Sequence, residues 1–264
     1  MKVAVISNQE TQCGRSSFIL LLASVFARSQ RKRVSVFSTG SIGSMIGYVD
    51  VKTPKTAITS ISVFKAMLGT GNVNDKELYD YALRIGEEEV FAFDIFSSSI
   101  EDWQLHDLFF KIINKMKTEL ILIEIVGSPK EEFNKSVLKN VDAVIDIFNH
   151  NQKSITAVKE YVENFEQAIV KRTGYVCQKF DPQTIGEKKL STLIQMNTRN
   201  IMLLPYNPVI AKECLNGTLN TVAKYIVEGN NEVINLRIKI CEIMQFLFDS
   251  PSYKYIKGVN EWYK

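Results

Sequence analysis

Paired cysteines are missing from this sequence: Cys13, Cys177, Cys214 and Cys241 are spread singly, with no CxxC spacing. That pattern argues against a zinc site and a disulfide framework, and fits a reducing cytoplasm. Histidine is scarce as well. His106 and His150 stand far apart, with no second histidine near either, so neither is read as a ligand. An excess of one charge is also lacking. Lys and Arg number 32 against 29 Asp and Glu, and the resulting +3 is too small to imply a polyanionic partner. The longest apolar run, FILLLASVFA at 18–27, is about half the roughly 20 residues a membrane span needs. It follows a polar loop that itself follows a strand-like stretch, an order foreign to a signal peptide. Repeats and low-complexity linkers are absent. The expected organisation is therefore one domain over 1–248, followed by an aromatic tail at 249–264.

What is present is enough apolar side chain, 45% of residues, to fill the core of one α/β domain. Strand candidates are VAVIS (3–7), VSVFS (34–38), VFAFDIF (90–96), LILIEIV (120–126), AVIDIF (143–148), GYVCQKF (174–180) and IMLLPY (201–206). Most are apolar on both faces, as a sheet covered by helices on both sides requires. Helical patterns fall between them, near 15–29, 103–117, 131–140, 152–166, 186–196, 218–228 and 231–248. The alternation predicts an α/β fold: a mostly parallel twisted sheet of about seven to eight strands with helices on both faces. The last helix has a wide apolar face from Val233 and Ile234 to Leu247 and Phe248. It lacks a basic polar face, which favours packing on the sheet over lying in a membrane interface.

The first strand runs through a polar loop directly into a helix, where a P-loop places its phosphate cradle. The pattern GxxxxGK[ST] needs glycines so that backbone N–H groups can converge on phosphate, a lysine for the phosphate charges and a hydroxyl for magnesium. In that frame this chain has Gln9, Gly14, Arg15 and Ser16. Gly14 and Ser16 match, Arg15 stands in the lysine position and Gln9 replaces the first glycine. Two readings stay open at this point. Gly14, Arg15, Ser16 and Ser17 bind a nucleotide or another anion at the helix N-terminus, or they simply start and cap the helix.

Further segments, in order, resemble the MinD/ParA class of P-loop ATPases, the deviant Walker A family, over nearly all of 1–248. RKRVSVFSTG resembles the family's second strand, LILIEIVGSP its Walker B strand and switch, and NVDAVIDIFNHNQKSITAVKEYV the strand and helix after it. IMLLPYNPVIAKECLNGTL resembles the stretch following the family's last parallel strand. The resemblance implies a P-loop NTPase fold, ATP with magnesium as cofactors, and a nucleotide-dependent homodimer. It also carries roles onto single positions. Glu124 corresponds to the Walker B aspartate, which with Ser16 orders magnesium. Gln178 corresponds to the asparagine that reads adenine.

Other positions depart from the family. Glu10 stands where a lysine reaches the partner's phosphates, and a carboxylate there is repulsive: two unit charges 4 Å apart differ by about 4 kcal/mol at an effective dielectric near 20. Ser38 and Gly40 replace two aspartates, one of which positions the attacking water. Phosphoryl transfer depends on such positioning and charge neutralisation, each group contributing on the order of 100- to 1000-fold. The expectation is a degenerate member that hydrolyses little or no ATP.

The layout of residues 72–125 is similar to TadZ-like relatives, which implies a localisation or assembly factor for a pilus, secretion or conjugation apparatus. Partners would be proteins of that machine, and the setting the cytoplasm, with recruitment to the inner membrane face or a cell pole. The competing expectation is a weakly active ATPase in plasmid or DNA partition. The tail holds Tyr253, Tyr255, Trp262 and Tyr263, which suit either a partner interface or packing onto the domain. Such a tyrosine-rich tail is also similar to that of bacterial tyrosine kinases, although Ser38 and Gly40 argue against kinase activity. The basic run Arg28, Arg31, Lys32 and Arg33 has no interleaved aromatics to stack bases and reads as a solvated turn.

Overall fold

Strands that are apolar on both faces can be buried only inside a layered sheet, and this chain builds one. The computed structural model describes residues 1–7, 13–52, 69, 75–95, 102–162, 172–196 and 200–248. Among them nine strands form a single sheet: β1 (Lys2–Ile6), β2 (Val34–Ser38), β3 (Val51–Lys52), β4 (Leu83–Ile85), β5 (Val90–Phe93), β6 (Leu120–Glu124), β7 (Ala143–Asn149), β8 (Thr173–Phe180) and β9 (Ile201–Pro205). Their order is β3-β4-β5-β2-β6-β1-β7-β8-β9. Every pairing from β5 across to β9 is parallel, while β3 and β4 pair antiparallel at one margin. The seven expected strands are all present. β3 and β4 escaped the reading because two and three residues are too few to show a period.

Among the described residues the helices given bounds are α1 (Arg15–Gln30), α2 (Gly43–Ile46), α3 (Asp75–Tyr79), α4 (Asp102–Lys115), α5 (Glu132–Lys139), α6 (Gln152–Tyr161), α7 (Glu187–Ile194), α8 (Pro208–Leu215), α9 (Asn220–Glu228) and α10 (Ile234–Phe248). Alternate strand residues feed opposite layers, as the two-residue period dictates. Val3 and Val5 of β1 and Leu120 and Leu122 of β6 face α1, α9 and α10; Ala4, Ile6, Ile121 and Ile123 face the layer of α4 and α5. The unexpected α8 begins at an Asn-Pro step: the Asn207 side chain accepts from Val209 N at 2.8 Å, and Pro208 occupies the first turn, where no N–H is needed.

The apolar run at 18–27 is buried along its whole length inside α1, between the sheet and α9. α10 covers it further, with Phe248 stacked on Phe26 at 5.0 Å. Among the described residues no helix is long and apolar enough to cross a membrane. Of the apolar face read for the last helix, Ile234 alone turns out to be largely exposed, and a 3-10 turn at Asn231–Val233 precedes the helix.

Three residues of the basic run are paired within the fold. Arg28 pairs with the buried Glu88, Lys32 with Glu119 at 3.0 Å and Arg33 with Glu89 at 3.4 Å. The Arg33 guanidinium also lies 4.2 Å from the Tyr79 ring centre. His106 stacks on Phe133 with centroids 3.8 Å apart, and His150 sits edge-on to Phe180; among the described residues no His, Cys, Asp and Glu cluster could hold a metal.

Candidate functional site

Strand parity decides what meets the first turn of α1. Glu124 follows Leu120 and Leu122 on the face toward α1, and Ser38 follows Val34 and Val36 on the same face. The register pairs Ser38 directly with Glu124. At the carboxyl ends of the central strands these two side chains therefore lie beside each other, under the start of α1.

Glu124 is closed on both oxygens. Arg15 Nε donates to its Oε1 at 3.1 Å, Ser16 Oγ donates to the same atom at 2.6 Å, and Ser38 Oγ donates to Oε2 at 3.2 Å. The carboxylate is 1% exposed and the Arg15 side chain 13%. A buried carboxylate keeps its charge only with such pairing and hydrogen bonding.

The same network ties the loop after β2 to the loop after β6. Thr39 N donates to Glu124 O at 2.8 Å, Val126 N donates to Thr39 Oγ1 at 2.9 Å, and Gly40 N donates to Ser38 Oγ at 3.2 Å. The second loop has its own latch. Asn134 Nδ2 donates to the carbonyls of Val126 and Ser128, both at 2.9 Å, and Glu131 Oε1 accepts from Ser128 N at 2.9 Å.

Gly14 enters α1 in the left-handed region, at φ 75°, and a Cβ there would come within 2.3 Å of Gln178 Oε1. Gln178, buried on β8, donates from Nε2 to Gly14 O at 3.3 Å, while Ser17 Oγ donates to the same carbonyl at 2.9 Å. Gly14→Ala is expected to lower stability by about 1–3 kcal/mol, because a side chain is strained at this φ and must also displace Gln178. Urea unfolding of the variant checks this, and an unchanged midpoint would refute the account.

Two cavities flank the start of α1. One, of about 410 Å³, lies between Ser7, Arg15, the loop from Val126 to Glu131, and Ala157, Glu160 and Tyr161 of α6. The other, of about 360 Å³, is lined by Gly14, Ser17 and Gln178 on one side and by Tyr48, Tyr206 and Ile210 on the other. Neither opens on an activated thiol: Cys214, at the second cavity, is raised above its ordinary range by burial, and burial pushes Cys177 up to about 12.

The sequence matches no family model and no curated protein. Solved structures do match. A ParA family ATPase from Chlorobium tepidum superposes with a TM-score of 0.66 at 13% identity, over 93% of this chain and 98% of its own. MinD in the MinC:MinD cell division complex from Aquifex aeolicus gives 0.66 at 11%, over 94% and 96%. MinD from Pyrococcus horikoshii, complexed with Mg-ADP, gives 0.62 at 14%, over 93% and 96%. The chain has the MinD/ParA fold. At these identities the likeness is one of architecture.

A magnesium ion, which the MinD/ParA fold brings to mind, needs open oxygen ligands in octahedral array and keeps several waters. Both oxygens of Glu124 are already engaged, and one of them by a cation. A divalent ion some 4 Å from a guanidinium is repelled by roughly 8 kcal/mol at an effective dielectric near 20. The residues present do not fit the ion.

Of the residues singled out in the sequence, the structure brings Arg15, Ser16, Ser38 and Glu124 into one cluster, with Gly40 bonded to Ser38, and Gly14, Ser17 and Gln178 into a second. Gln9, Glu10 and the tail at 249–264 lie outside the described residues. Thr39 and Asn134 went unnoticed in the sequence. The two-residue strand period, continued to the strand ends, would have placed Ser38 and Glu124 on one face; nothing local marks Asn134.

Proposed function

We propose that this chain is a degenerate, TadZ-like protein of the MinD/ParA fold that hydrolyses little or no ATP. It acts through protein contacts as a localisation or assembly factor for a pilus, secretion or conjugation apparatus. The observation carrying this reading is the closed carboxylate: Glu124 is held by Arg15, Ser16 and Ser38, and so is not free to organise a metal or a water. Ser38, a hydroxyl spent on that carboxylate, offers no base for an attacking water. A single domain over 1–248 and the aromatic tail as a partner-facing segment belong to the same reading. So does a homodimer that nucleotide does not gate.

The test is a nucleotide titration with the purified protein, followed by phosphate release with and without magnesium chloride. Release at the level of the buffer blank in both conditions is expected. Saturable micromolar ATP binding with magnesium-dependent turnover would defeat the reading and favour a partition-type ATPase. In cells, a fluorescent fusion is expected to form a polar or membrane-proximal focus; a uniformly diffuse signal beside an assembled machine would count against the localisation role.

A further inference from the structure

The misfit between this site and magnesium has a positive side. We infer that Arg15 is a resident cation standing in for a divalent metal, so that the loops after β2 and β6 are held in one arrangement without metal or nucleotide. The inference rests on the proposed function only in that both start from the closed Glu124; it concerns what holds the site, not what the protein recruits.

Three observations carry it. The charge of Glu124 is met from within the chain, by a guanidinium nitrogen 3.1 Å from Oε1, and two serine hydroxyls donate to it as well, one to each oxygen. The position next to it in the sheet, Ser38, carries no second carboxylate, so a single positive charge balances the site where a divalent ion would need more. The backbone leaving Glu124 is then fixed by protein groups alone: Thr39 joins the two loops, and Asn134 and Glu131 pin the second from behind. Gly40 is closed in as well, since a Cβ there would stand 3.1 Å from the Val126 side chain. Arg15 thus meets the charge of Glu124, while Thr39, Asn134 and Glu131 hold the loops on either side of it.

If Arg15 stands in for the metal, removing its charge uncovers a metal site composed of Ser16 Oγ and both oxygens of Glu124. Manganese, a paramagnetic substitute for magnesium, reports this directly because it broadens amide signals according to distance. In the wild-type protein, about 1 mM manganese is expected to leave the amides of Ser16, Ser38, Glu124 and Val126 no more broadened than surface amides elsewhere. In Arg15→Ala and in the milder Arg15→Gln the same amides are expected to broaden selectively. The variants should also melt roughly 6–12 °C lower in EDTA, with about half of that loss recovered in 10 mM magnesium chloride. The wild-type midpoint should move by no more than about 1 °C between the same two buffers.

Selective broadening around Glu124 in the wild type would overturn the inference, and this arm does not depend on whether any variant folds. A folded Arg15→Gln protein that gains neither broadening nor magnesium rescue would overturn it too, leaving Arg15 a structural partner only. The two ideas fail separately. Manganese at Glu124 without ATP turnover sinks the resident cation and spares the proposed function. Turnover that persists in EDTA sinks the proposed function and spares the resident cation.

Discussion

Glu124→Gln is expected to cost the fold about 3–5 kcal/mol, measured as the loss of unfolding free energy in urea. Glutamine keeps the size of the side chain but removes the charge that Arg15 neutralises at 3.1 Å, and Arg15 is too buried for water to take over fully. The amide also brings donors into a pocket whose three side-chain neighbours, Arg15, Ser16 and Ser38, all donate to the carboxylate. Since domains of ordinary stability have about 5–15 kcal/mol in total, the variant should sit near the edge of folding. Taking both charges away, as Arg15→Met with Glu124→Leu, should restore most of the loss, because replacing a buried pair by packed apolar groups is often neutral. A loss below about 1 kcal/mol in Glu124→Gln would mean that solvent already satisfies Arg15.

Phe37→Ala is expected to destabilise by a similar 3–5 kcal/mol through a different cause, the cavity left by a fully buried ring. Phe37 stacks on Phe93 at 4.9 Å with an interplanar angle of 10°, and meets Phe109 edge-on at 5.7 Å. It therefore joins β2, β5 and α4 at one point, in the layer opposite α1. Its sequence neighbour Ser38 faces the other way, toward Glu124. The variant should thus melt early while keeping the hydrogen bond between Ser38 and Glu124, seen as unchanged amide shifts for Gly40 and Val126 below the transition. A shift at those amides equal to that in Glu124→Gln would show that the two layers are not independent.

The contrast between these two sites shows what the sequence could and could not disclose. Apolar runs and their spacing revealed the parallel sheet because burial on both faces leaves a local mark in every strand, and β2 was readable to the residue as VSVFS. The same rule failed at β3 and β4, where Lys52 and Arg84 interrupt stretches too short to show a pattern. At the site, the P-loop pattern pointed to Arg15 and Ser16 and the family resemblance to Glu124, as separate positions of a nucleotide motif. That they satisfy one another depends on a register 86 residues apart between Ser38 and Glu124, which no local pattern encodes. The resemblance sets Gln178 in the place of an adenine-reading asparagine; its amide donates to Gly14 O, a contact set by the close approach of β8 to a glycine with positive φ that no sequence pattern announces.

The sandwiching of α1 also sets the order in which the chain can mature. Its ten consecutive buried residues, Phe18 to Ala27, find their outer cover in α9 and α10, which begin about 190 residues later. At ordinary synthesis rates that interval is on the order of 10–40 s, during which the nascent chain carries an apolar helix with half of its surface uncovered. Such a chain completes its core only once α9 and α10 have emerged.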